Sequence, residues 1–178
     1  MKTLGLDLSL TGTGCVLLDN GKIKTRQLIK SKPLGSRPVD ELERLLLIKR
    51  KISSIIAEES PDLAIIEGMA FMAHNTTALT QLAGLNYFVR DELYNADVKF
   101  LIVAPTTLKK FLTGKGNCQK DLILLEVYKR YKEEFTDDNL CDAYGLAKIG
   151  EEVLSDDNSK LPQYQQEVTK LLKQQYYE

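Results

Sequence analysis

Asn20-Gly21 is the pair that most constrains the fold of this chain. A two-residue hairpin turn of the favoured hand needs positive φ at both central positions, and Asn and Gly tolerate that best. Strand-like runs flank the pair at 13–19 and 22–29, so the spacing predicts an antiparallel hairpin. Another apolar run, 3–9, comes before it and ends in Ser, Thr and Gly. The N-terminal part of the chain therefore predicts three antiparallel strands. Lys22, Lys24 and Arg26 alternate along the third and give it one basic, solvated face.

Beyond Pro33, Gly35 and Pro38 the apolar period lengthens. Leu42, Leu45, Leu46, Ile52, Ile55 and Ile56 predict a helix over about 39–59. Pro61 separates it from a strand at 63–67. Asn75 is placed to cap a helix over about 76–95. A strand at 99–104 follows, then Pro105 at a helix start. Gly114-Lys115-Gly116-Asn117 breaks the chain before a helix over about 119–133. Asp137-Asp138-Asn139 opens another to about 154, and 162–176 predicts a last amphipathic helix. Strands reached through helical crossovers run parallel. The expected fold is α/β: a mixed five-stranded sheet, three antiparallel strands then two parallel, with helices on both faces.

The chain has 178 residues, with no repeat or linker. That predicts one domain over 1–178 with a C-terminal helical extension from about 156. No apolar run approaches the roughly 18 residues of a membrane span. Asp7 interrupts the first apolar stretch, which excludes a signal peptide. Three cysteines without a C-x-x-C pair fit a reducing cytoplasm.

Net charge is −1, but it is unevenly spread. Residues 22–51 carry +7, residues 99–120 carry five lysines and no acid, and residues 121–178 carry −6. Such asymmetry suits a polyanion-binding face beside an acidic centre, and equally an ordinary set of solvated faces. The single histidine, His74, excludes two-histidine zinc chemistry and leaves carboxylates as the working groups.

Asp7 lies within the apolar strand LGLDLSL, and Glu67 ends LAIIE. A carboxylate in a strand built for burial costs several kcal/mol unless its charge is compensated. Asp138 and Asp142, four residues apart, share a helix face, from which Asp137 points away. Asp138 also suits an N-cap. These four acids form a hard-oxygen set without histidine, which selects Mg²⁺, with Mn²⁺ as substitute. Two such ions about 3.5–4 Å apart hydrolyse phosphodiesters.

The motifs LGLDLSLTGTG, LAIIEGMAFMAHN, TTLKKFLTGKGNCQK and DDNLCDAYGLA, in that order over 3–148, resemble the RuvC family of Holliday-junction resolvases in the RNase H-like superfamily. The resemblance implies an Mg²⁺-dependent homodimer that binds four-way or branched DNA and nicks it symmetrically. It implies Asp7, Glu67 and Asp142 as catalytic metal ligands, and the shared helix face with Asp142 adds Asp138 as the expected fourth acid. It also implies Lys109 and Lys120 as basic residues that touch DNA and support the active site, with Phe71 near the base-stacking aromatic. Lys110 and Lys115 of the same segment are expected on DNA as well, as is His74, which stands where a basic residue is common. The broad apolar surface of helix 76–95 fits a helix buried in the monomer, and the resemblance adds a dimer seam.

Three departures stand out: Leu8-Ser9 where relatives have Pro-Gly, Asn139 where the first acid of the last motif is usual, and one extra residue between Glu67 and Phe71. They resemble phage-encoded members, which would place the protein in a host-cell cytoplasm. The alternatives are a broader branched-DNA or RNA–DNA hybrid nuclease of the same fold, or an inactive nucleic-acid-binding relative. Retention of four acids argues against the last.

Overall fold

A computed structural model describes residues 1–69 and 76–177, with Thr76 and Tyr177 described in backbone only. Phe71, His74 and the expected helix cap Asn75 lie outside the described residues. The hairpin forms as the Asn-Gly pair predicts: β2 (Gly12–Asp19) and β3 (Lys22–Lys30) pair antiparallel, and both turn residues take positive φ, 48° at Asn20 and 82° at Gly21. β1 (Lys2–Asp7) pairs antiparallel with β2 on one side and parallel with β4 (Leu63–Glu67) on the other. β5 (Lys99–Val103) adds to β4 in parallel, giving the order β3-β2-β1-β4-β5. The mixed sheet is the expected one.

Alternation along these strands divides the core. Leu4, Leu6, Leu17, Ala64 and Ile66 face α1 (Pro38–Glu59) and α2 (Thr76–Asn95). Val16, Leu18, Leu63, Ile65 and Val103 face α5 (Asp138–Leu154), which is flanked by α3 (Pro105–Thr113), α4 (Lys120–Tyr131) and α6 (Gln163–Tyr177). Leu42, placed by its spacing on the inner stripe of α1, is 45% exposed. On α2, Leu85, Val89 and Leu93 are fully buried in the monomer, and Leu82 and Phe88 pack against that core. The apolar breadth of this helix is therefore largely spent inside the chain.

α5 lies almost on the backbone of β1 and β2. A Cβ at Gly5 would sit 1.9 Å from the Ala143 carbonyl oxygen, and one at Gly14 would sit 2.1 Å from that of Asn139. Only glycine allows this approach. Thr3 Oγ1 donates to the Ala147 carbonyl at 2.9 Å, fixing the far end of the same contact.

The basic stripe on β3 is not free. Lys24 bonds Glu59 at 2.6 Å, and Arg26 reaches Glu133 at 3.2 Å while covering the Phe135 ring. No helix among the described residues is long and apolar enough to cross a membrane.

Candidate active site

The parallel register sets Leu6 beside Ile66, which brings Asp7 and Glu67 to the carboxyl ends of neighbouring strands. Both follow in alternation from residues on the α5 face, Gly5 and Ile65. Asp142, one turn into α5, arrives on that face because of the close approach at Gly5 and Gly14. Asp7 is 7% exposed, and Glu67 and Asp142 are half-buried.

Burial and mutual repulsion keep these acids from all ionising. Burial, then the Asp7 charge and a hydrogen bond to Asp7, push Glu67 up to about 9. Burial and Asp7 push Asp142 up to about 7. Asp7 is also raised, by burial, while its bond to Glu67 lowers it. The proton thus rests on Glu67, which donates to Asp7.

Two lysines oppose this charge. Lys109, half-buried on α3, lowers Glu67 and Asp142. Lys120, at the start of α4, lowers Asp7 and Asp142 and bonds Asp138 at 2.9 Å. Lys110, expected beside them, turns to Glu167 on α6 at 2.8 Å. Lys115 is exposed on the turn after α3.

The last motif differs in detail from its sequence reading. Asp137, not Asp138, is the N-cap of α5, accepting from the Leu140 amide at 3.2 Å. The charge of Asp137 also reaches Asp7 and raises it. Asp138 is the first helical residue and acts on Asp142 and Lys120. Asn139 lies against Gly12.

The sequence reading missed Arg44. This buried side chain donates from Nη2 to the Leu10 carbonyl at 2.5 Å and from Nε to Ser31 Oγ at 3.0 Å. It holds the turn that follows Asp7. The available signal was its place on α1, one turn before buried Ile48.

Among the described residues, no three His, Cys, Asp or Glu side chains are gathered closely enough to form a ready metal cage. The charge and chemistry of the set nevertheless fit a hard divalent cation. Three mutually repelling carboxyls face two lysines, and the adjacent thiols do not compete. Burial raises Cys15 far above its usual range and Cys141 to about 12, so both stay protonated.

The family described as Crossover junction endodeoxyribonuclease RuvC matches residues 3–149. The RuvC crossover junction endodeoxyribonuclease of Carboxydothermus hydrogenoformans is 26% identical over 156 residues, covering 84% of this chain and 95% of its own. That of Rickettsia akari is 34% identical over 136 residues, covering 70% and 78%. Among solved structures, Thermus thermophilus RuvC in complex with Holliday junction substrate shares the fold at a TM-score of 0.69 and 21% identity, over 83% of this chain and 90% of its own.

Proposed function

The chain belongs to the RuvC family of crossover junction endodeoxyribonucleases, and from that premise we propose that it is an Mg²⁺-dependent, structure-selective DNA endonuclease that resolves Holliday junctions by paired symmetric nicks. The observation that carries this reading is the carboxyl set at the sheet end: Asp7, Glu67 and Asp142 are each driven upward by burial, and the Asp7 charge raises the other two further.

Asp7, Glu67 and Asp142 would hold the ions, with Asp138 completing the set from the face of α5 it shares with Asp142. Two divalent ions there would supply an activated water and steady the leaving oxygen of the phosphodiester. Glu67 would serve as a ligand in its carboxylate form, leaving Asp7 clear of the shared proton, and Asp138 would serve in place of its bond to Lys120, whose ammonium would then be available to stabilise charge developing on the phosphate. Lys109 holds the neighbouring strand by its phosphates, and exposed Lys115 extends that track. Phe71 and His74 keep their assignment to DNA from sequence.

Paired nicks need two such centres, so the active unit is a homodimer. Tyr87 and Tyr94, 68% and 79% exposed on α2, supply aromatic surface for its seam. The site of action is the cytoplasm, where Cys15, Cys118 and Cys141 stay unpaired.

The test is cleavage of four-way, Y-shaped and linear DNA and of an RNA–DNA hybrid. Fast nicking of the hybrid with none of the junction would replace this reading with the hybrid nuclease.

A further inference from the structure

The family match ends at residue 149, yet α6 makes several directed contacts back onto the lysine-bearing helices. Gln165, 1% exposed, donates from Nε2 to the Phe111 carbonyl at 2.8 Å and to the Tyr131 hydroxyl at 3.2 Å. The Phe111 carbonyl belongs to the last turn of α3, where helix acceptors lack partners of their own. Gln165 therefore joins the end of α3 to the end of α4 through one amide.

One residue earlier, the Tyr164 ring lies over Gly114. A Cβ there would meet it at 3.5 Å, ordinary contact distance. Gly114 ends α3 in the left-handed region, at φ 79°, and starts the segment that leads to Lys120. Arg130 of α4 donates to the Tyr164 hydroxyl, and Glu167 holds Lys110. Within the turn, Thr113 Oγ1 accepts from the Lys115 amide at 3.2 Å.

Lys109 lies before this turn and Lys120 after it, and their charges are the ones that reach the acids. Polar bonds need not be so directed merely to cover a core, and Val168 and Leu172 already do that. We propose that α6 is a brace whose Tyr164 and Gln165 act as positioning residues, fixing the Gly114 turn and so the placement of Lys120 against the acids. The catalytic consequence rests on the endonuclease reading; the brace itself does not.

Removal of α6 would expose Val168, Leu172 and their partners, so the test uses point variants of the full chain. In Tyr164→Ala, hydrogen exchange of amides 114–120 should quicken about tenfold at a temperature where the variant is fully folded. Amides of β1 and β4 should keep their protection. Tyr164→Phe retains the ring over Gly114 and should stay close to wild type. Unchanged exchange in the turn, or equal loss across the sheet, would overturn the brace.

The catalytic arm is single-turnover nicking of a saturated junction. Tyr164→Ala should slow it about tenfold, since small misplacements of a working group are costly. In a Lys120→Ala background the same change should cost nothing further, because the two share one route. Full multiplicative losses would show that α6 does not act through Lys120. A wild-type protein that fails to nick would remove the endonuclease reading and leave the exchange result to decide the brace.

Discussion

Two glutamates at opposite ends of the sheet layer show what separates a structural acid from a working one. Glu59, at the end of α1 beside the start of β1, is met by Lys24 at 2.6 Å and Lys2 at 3.5 Å, and these bonds lower its pKa. Glu67, at the carboxyl end of β4, meets other acids and is pushed up to about 9. The chain's 24 Lys and Arg nearly balance its 25 Asp and Glu, yet at one end it leaves acids in excess. The paired end serves the fold, and the underpaired end is ready for a cation from outside.

The largest expected effect is at the underpaired end. Asp7→Asn should reduce nicking by at least about a thousandfold, on the scale of losing a central charge-stabilising group. It should keep junction affinity, which comes mostly from lysine–phosphate contacts. The metal-free protein should not lose stability, because a repelling buried charge is gone. Wild-type cleavage by this variant, measured by gel at saturating enzyme, would break the comparison at its working end.

Next come the lysines. Lys120→Ala should slow bound-junction turnover about a hundredfold. Lys109→Ala should chiefly weaken binding and flatten its salt dependence by about one phosphate contact. Equal effects of both changes on single-turnover rate and on affinity would show that the two do not divide the work.

A smaller effect is the pH dependence of the metal-free fold. Glu67 and Asp142 have folded pKa values above their ordinary ones, about 9 and about 7. Between about pH 4 and pH 9 the folded state therefore binds more protons than the unfolded chain, and stability falls as pH rises. Their favourable contribution is complete only below the ordinary carboxylate range. The Tm in chelator should decline across this window, and Glu67→Gln should flatten the decline. A Tm that rises with pH would contradict the assignment of the proton to Glu67.

The smallest effects on stability lie at the paired end and beside the cap. Glu59→Gln should lower the Tm modestly and leave nicking intact, since it removes the charge that pairs Lys24 and Lys2 at the end of the sheet away from the working acids. Asp138→Asn should leave the Tm nearly unchanged, because the cap is Asp137, while Mg²⁺-dependent cleavage drops. Near-normal cleavage would transfer the fourth ligand to Asp137, whose charge already reaches Asp7.

Much of this contrast was legible in sequence, because local rules produce it. Asn20-Gly21 set the hairpin, Pro105 opened α3, and Asp7 and Glu67 stood out as acids in apolar strands. The missed features depend on long-range geometry. Which aspartate caps α5 turns on where the chain enters the helix, and a shift of one residue exchanges the capping acid for the first helical one. The closeness of α5 to the sheet rests on Gly5 and Gly14 meeting Ala143 and Asn139, partners far away in sequence. Lys110 looks identical to Lys109 in the chain, and only α6, through Glu167, separates their roles.

Whether the underpaired acids form a metal-dependent nicking centre for branched DNA is decided by incubating the full chain with labelled four-way, Y-shaped and linear DNA, in Mg²⁺ and in chelator, and mapping the cut strands. Paired, symmetric nicks are expected in the four-way junction with Mg²⁺, none in chelator, and much slower cutting of linear duplex. Equal cutting in chelator, or no nicking of any branched DNA with Mg²⁺, would contradict such a centre.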